Sequence, residues 1–321
     1  MRTKILPLCA VLALTVLFSC KKNETKEIAR VSVADQEQDT IPASQLNMND
    51  INFSQLAAAG SYKVIAGKYN ISAQVDGNGS NARFLEPSGI FVNTDGSLLV
   101  ADLGGDIRKI QHDTVVTSIH FPEDPDGFSY FGGNDIAATT DGSIMVVGEH
   151  EYWLYTNGVP HYHGVDSHNE IGLGVDRDPS GKFFWYSDFT SLRAVKPNGE
   201  DIPTQPLYAE IGGFNALSAS NNGVKYFASN SQVYKYTKSG VSAQIFKNFT
   251  FSNIGSLTST RDGFKVYIVD AGEIKMISNN SKYPQTIKTI LSGAQVGSIA
   301  LSNSEKYLYF TTHNTVNKLK L

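Results

Sequence analysis

A two-residue turn recurs along this chain at nearly constant spacing. Asp95-Gly96, Asp141-Gly142, Ser180-Gly181, Asn222-Gly223, Asp262-Gly263 and Ser304-Glu305 follow one another at intervals of 46, 39, 42, 40 and 42 residues. Each is preceded by a short apolar run, such as Gly89-Ile90-Phe91-Val92 or Asp135-Ile136-Ala137-Ala138. Each is followed by a β-branched or aromatic one: Leu98 to Ala101, Ile144 to Val147, Phe183 to Tyr186, Val224 to Ala228, Lys265 to Val269 and Tyr307 to Thr311. A period near 40 residues with a hairpin turn per repeat is that of a four-stranded propeller blade, a unit that buries its faces only against its neighbours. The expected fold is all-β, with six blades in one ring. The Asp-Gly pairs are read as turn chemistry, the glycine adopting positive φ at little cost.

One unit displays the full pattern: Val64-Ile65-Ala66-Gly67, Asp76-Gly77-Asn78-Gly79, Ala82-Arg83-Phe84, Pro87-Ser88-Gly89-Ile90, Asp95-Gly96, Leu99-Val100-Ala101-Asp102 and Ile107-Arg108-Lys109-Ile110. It resembles an NHL-repeat blade, and the resemblance implies an NHL-like six-bladed propeller. The last segment, Thr315 to Leu321, falls where the third strand of the sixth blade belongs, with nothing after it to serve as a fourth. Ser61 to Ala66, ahead of the first blade, is expected to supply that strand and close the ring, which removes the exposed sheet edges.

Residues 1–20 read as an address. Arg2 and Lys4 precede an apolar run from Ile5 to Phe18 that is too short for a comfortable membrane span. Leu17-Phe18-Ser19-Cys20 resembles the lipobox of bacterial lipoproteins, which implies a lipidated Cys20 and a multiply acylated terminus that holds a membrane stably. The only two cysteines, Cys9 and Cys20, lie in this segment, so the remaining chain folds without disulfides. Residues 21–59 are rich in Lys, Glu, Gln, Asp, Ser and Asn and read as a flexible tether. Within it, Asp39-Thr40-Ile41 resembles the O-glycosylation acceptor of exported Bacteroidetes proteins, a pattern met again at Asp113-Thr114-Val115 inside an expected strand. Residues 60–321 form the propeller. The location implied is the cell envelope of a Gram-negative bacterium, as an outer-membrane lipoprotein facing the periplasm or the exterior.

Composition narrows the partners. The 27 Lys and Arg are outnumbered by 31 Asp and Glu, and no basic stripe runs through the sequence, so nucleic acid is not an expected partner. The 15 Tyr and 17 Phe fall mostly at strand positions, where packing between blades accounts for them. The expected state is a monomer that binds a small molecule, glycan or protein on one loop face.

That face is where inner strands start and second strands end. Aligning the repeats on their turns places Glu86, Ser88, Asn134, Asp135, Ile171, Asn215, Asn253, Gly255, Gly297 and Ser298 at the starts. It places Asp102, Glu149-His150, Asp188, Asn230, Asp270 and His313 at the second-strand ends. Asp102, Asp188 and Asp270 recur at one position and are read as acceptors for backbone N–H groups. Residues used once are the better ligand-binding candidates: Glu149, His150, His168 and Glu170 around the second blade junction, with Asn134 and Asp135. The segment His161 to Glu170 holds three of the seven histidines, and His161 and His163 alternate as on an outer strand.

The alternative is enzymatic. Asn134-Asp135, followed by a strand and Asp141-Gly142, is similar to the substrate-side stretch of the gluconolactonase and senescence marker protein propellers, and Asn215 stands at the position of a metal-binding Asn. The resemblance implies a divalent cation such as calcium on Glu86, Asn134, Asn215 and Asn253, polarising a lactone carbonyl. The chain departs from that pattern in two places: Glu86 directly precedes Pro87, and Asn253-Ile254-Gly255 stands where an Asp is expected.

Overall fold

A computed structural model describes residues 61–148, 151–164, 171–188, 192–204, 214–229, 231–237, 242–279 and 284–321. The expectations for residues 1–20 and 21–59, including Cys20 and Thr40, lie outside them. Among the described residues no helix is long and apolar enough to cross a membrane.

The strands form six antiparallel sheets of four to five strands, one per repeat. The innermost strands are Pro87–Val92, Asp135–Ala138, Ile171–Arg177, Ala216–Ala219, Ile254–Ser259 and Val296–Leu301. Each packs on the next, and the last packs on the first, so the blades close a ring around a central channel. The sixth sheet is completed by Tyr62–Gly67, antiparallel to Thr315–Lys320, with Tyr62 opposite Leu319 and Gly67 opposite Thr315. The six-bladed propeller and its closure by the N-terminal strand are therefore as the repeat predicts.

The turns follow their local chemistry. Gly96, Gly142, Gly181, Gly223 and Gly263 all have positive φ, between 71° and 90°. The preceding acid or amide closes the turn: Asp95 accepts the Ser97 N–H at 2.9 Å, Asp141 the Ser143 N–H at 3.0 Å, Asn222 the Val224 N–H at 3.0 Å and Asp262 the Phe264 N–H at 2.9 Å. One expectation is corrected here. Asp113-Thr114 lies not inside a strand but in the turn between Asp106–Gln111 and Val115–His120, where Asp113 has φ of 60°. Two adjacent residues of the hairpin, His112 and Asp113, both take the left-handed conformation, so the chain reverses there. The Asp113 carboxylate accepts from Lys318 Nζ at 2.6 Å and Tyr309 Oη at 3.0 Å.

The core lies between blades, as the aromatic strand positions suggest. Tyr152 meets Tyr186 across the second and third blades at 5.2 Å, and Trp185 meets Tyr236 across the third and fourth at 6.5 Å. Each such buried aromatic contributes about 2–3 kcal/mol of burial. Near the channel the inner strands approach so closely that two glycines are required. A Cβ on Gly89 would stand 2.6 Å from Asp135 Cα, and one on Gly174 would stand 2.6 Å from Leu217 N.

Candidate functional site

The ring encloses a channel with a cavity of about 860 Å³. It has two rims, because like ends of the inner strands meet like ends. At the start rim, Ser88 Oγ donates to Gly133 O, and Asn215 Nδ2 donates to Ile254 O at 3.4 Å. At the turn rim, Thr140 N donates to Gly181 O at 2.9 Å, Asn221 N to Arg261 O at 3.0 Å, Arg261 N to Glu305 Oε1 at 2.7 Å and Asn303 Nδ2 to Asn93 O at 2.7 Å.

Glu86, Asn134, Asp135, Asn215 and Asn253 all line this one cavity. Glu86, Asn134 and Asn253 are exposed within it, together with Gln295 and His313, which the alignment of repeats left without a proposed ligand role or did not single out. The start rim is thus rich in side-chain amides, groups that both donate and accept. The other ligand-binding candidates, Glu149, His150, His168 and Glu170, lie outside the described residues. His161 and His163 do lie on an outer strand, Val159–Gly164. His163 stacks on Tyr152 at 4.6 Å, and burial, with His161 nearby, holds its imidazole below the ordinary histidine range.

The recurring acids act on backbone. Asp102 accepts the Leu85 and Glu86 N–H groups at 3.1 and 2.8 Å, and Asp270 accepts those of Ser252 and Asn253 at 2.7 and 3.0 Å. They fix the loops from which the start-rim residues project. The two differ in charge balance. Burial raises Asp102 against the pull of these N–H groups and of Arg108, whose buried guanidinium also bonds Asp76 at 2.8 Å. At Asp270 burial also pushes upward, but Lys275 Nζ at 2.6 Å and the two N–H groups hold the carboxyl below its usual range. The side chain of Asp188 lies outside the described residues.

Two further carboxyls do a job no spacing suggested. Asp135 Oδ2 accepts the Val175 N–H of the next blade at 3.0 Å, and Asp176 Oδ2 accepts the Ala219 N–H of the blade after that at 2.7 Å. Burial, the N–H bonds notwithstanding, pushes Asp135 up to about 8, with Asp176 adding like charge, and pushes Asp176 up to about 6. Later junctions use hydroxyls for the same purpose: Ser218 Oγ accepts the Ser259 N–H at 3.1 Å, and Ser256 Oγ the Ile299 N–H at 3.2 Å. The only sequence signal for this role is a polar residue inside an apolar inner strand.

Among the described residues no three His, Cys, Asp or Glu side chains gather as a metal-binding group. The set drawn from the lactonase resemblance holds three amides and one carboxylate, an oxygen set of low charge for a hard cation. A second, smaller cavity of about 390 Å³ lies outside the channel, lined by Phe128, Phe131, Glu151, Trp153 and Tyr162. Phe128 stacks on Tyr162 at 4.3 Å.

No protein-family model matches the chain, and no curated protein matches it in sequence. Solved structures do match in shape. A Bacteroides thetaiotaomicron protein of unknown function is 17% identical with a TM-score of 0.63, covering 82% of this chain and 76% of its own. A gluconolactonase from Xanthomonas campestris is 10% identical with a TM-score of 0.58, covering 82% of this chain and 90% of its own. A streptogramin B lyase is 11% identical with a TM-score of 0.56, covering 82% of this chain and 98% of its own. The chain shares the β-propeller fold with them. At these identities the likeness carries the fold and no reaction.

Proposed function

We propose that this propeller is a binding protein of the cell envelope, anchored to the outer membrane through a lipidated Cys20, which takes a small polar molecule or a glycan at the start rim of its channel. The observation that carries the reading is the amide-rich rim: Asn134, Asn253 and Gln295 are exposed around a cavity of about 860 Å³, Asn253 anchored by its N–H on Asp270 and Asn134 by its N–H on Val147 O. Amides arranged on a rigid scaffold suit a ligand bearing hydroxyl or amide groups, and such precise placement of a few polar groups is typical of pre-formed sites. The test is a glycan and metabolite screen by calorimetry, repeated with Asn134→Ala and Asn253→Ala. The expected result is a hit whose affinity falls about tenfold in each variant. Hits indifferent to both changes would move the site elsewhere on the ring.

The anchor has its own test. Cys20→Ala is expected to shift the protein from the membrane to the soluble fraction, and unchanged partitioning would refute it.

A lactonase-like hydrolase is the second reading, favoured by the shared cavity of Glu86, Asn134, Asn215 and Asn253 and by the gluconolactonase among the structural neighbours. Stoichiometric calcium that survives dialysis and is lost in Asn215→Ala would make it the first.

A further inference from the structure

The turn rim carries a feature that the binding reading does not use. Arg177 ends the inner strand of the third blade, and its guanidinium reaches past Ala138 of the second blade to the Phe91 ring of the first, 5.2 Å from the centroid. Among the described residues the guanidinium makes one long hydrogen bond, Nη1 to Ala138 O at 3.4 Å, and has no carboxylate within ion-pair distance. Asp176 beside it uses Oδ1 for the Arg177 N–H and Oδ2 for the Ala219 N–H. Arg261, on the hairpin turn of the fifth blade, lines the same cavity and is exposed; the Glu305 carboxylate nearby accepts the Arg261 backbone N–H rather than its guanidinium. Burial lowers the Arg177 pKa, Asp176 opposes that, and the positive charge of Arg261 adds to it.

Two guanidinium groups that share the lining of one cavity, with no carboxylate paired to either among the described residues, are unfavourable until an anion joins them. Guanidinium groups have the planar, forked donors that match a carboxylate. We propose that the turn rim holds the carboxylate of a small organic acid between Arg177 and Arg261, with the rest of the molecule extending along the channel. This rests on the channel being the ligand site, and it narrows the ligand class to acidic metabolites and acidic sugars. The exposed Asn221 lines the same cavity on the turn rim, whereas the Asn303 amide nitrogen is spent on Asn93 O.

The test is NMR of the full chain ¹⁵N-labelled at arginine and asparagine, titrated with D-glucuronate, D-glucose and sodium sulfate at matched ionic strength. The expected result is a saturable shift of the Arg177 and Arg261 Nε–H signals with glucuronate and none with glucose. Arg177→Gln should lower glucuronate affinity about tenfold or more. Arg261→Gln, at an exposed position that does not burden folding, should do the same. Three results overturn the proposal: equal shifts with glucuronate and glucose, no arginine shift with glucuronate, or shifts as large with sulfate. Shifts at the Asn134 and Asn253 side chains without any at the arginines would remove the carboxylate site and leave the start-rim reading standing. Arginine shifts without start-rim shifts would do the reverse.

Discussion

The two rims of the channel are built from the same repeat and have come to opposite chemistries. At the turn rim Asp95, Asp141, Asn222 and Asp262 are tied into their own turns and Glu305 into the Arg261 N–H, whereas the guanidinium groups of Arg177 and Arg261 have no carboxylate partner among the described residues. At the start rim the repeated acids, Asp102 and Asp270, are buried beneath the loops, and the exposed groups lining the cavity are the amides of Asn134, Asn253 and Gln295 with Glu86 and His313. A repeat supplies scaffolding wherever it is obeyed. A residue that one blade alone carries, such as Arg177, therefore holds more information than any Asp-Gly pair.

The contrast can be broken by graded substitutions. Asp270 is 1% exposed and accepts two backbone N–H groups as well as the Lys275 ammonium. Asp270→Ala should destabilise the propeller by about 2–4 kcal/mol, because it leaves those donors unpaired. Urea unfolding measures this, and a loss below that of a turn variant would mean that the start rim does not depend on its buried acids.

A smaller effect is expected from pH. The Asp135 carboxyl is raised from an ordinary 3.8 to about 8 in the folded protein, so its contribution is fully present below the ordinary value and is lost as pH rises through about 8. Asp176, raised to about 6, has the same sign over a lower window. Relative to Asp135→Asn, the unsubstituted protein should lose about 1–3 kcal/mol between acidic and mildly alkaline pH. Parallel stability curves for the two proteins would show that the inter-blade carboxyl stays ionised throughout. The smallest effect belongs to the turn rim, where Asp262→Ala removes an exposed turn bond and should cost about 1 kcal/mol.

How far the sequence discloses this molecule follows from the range over which each residue acts. The hairpin turns are legible because Asp262 bonds a backbone group two residues away, a purely local event. Ring closure is legible because the repeat counts strands and finds one missing at one end and spare at the other. The role of Asp135 is not, since its partner is the Val175 N–H on another blade, and only the packed ring brings that donor to it. Arg177 is harder still. In the sequence it is a charged residue at a strand end, an ordinary solvated position, and its meaning depends on Phe91 two blades away. The repeat alignment does bring Glu86, Asn134, Asn215 and Asn253 to one cavity, because equivalent positions in a ring converge on its axis.

The pairing of Tyr62–Gly67 with Thr315–Lys320 also sets a timetable. The first strand waits beside an unfinished ring until nearly all the remaining chain has been made and folded. Its contacts are therefore among the most non-local in the molecule, the class that forms slowly because loop closure precedes any reward. Until that moment both partner strands offer unpaired edges to any other β-chain nearby. In a crowded compartment, the interval before this one strand docks is when the protein is most exposed to joining the wrong neighbour.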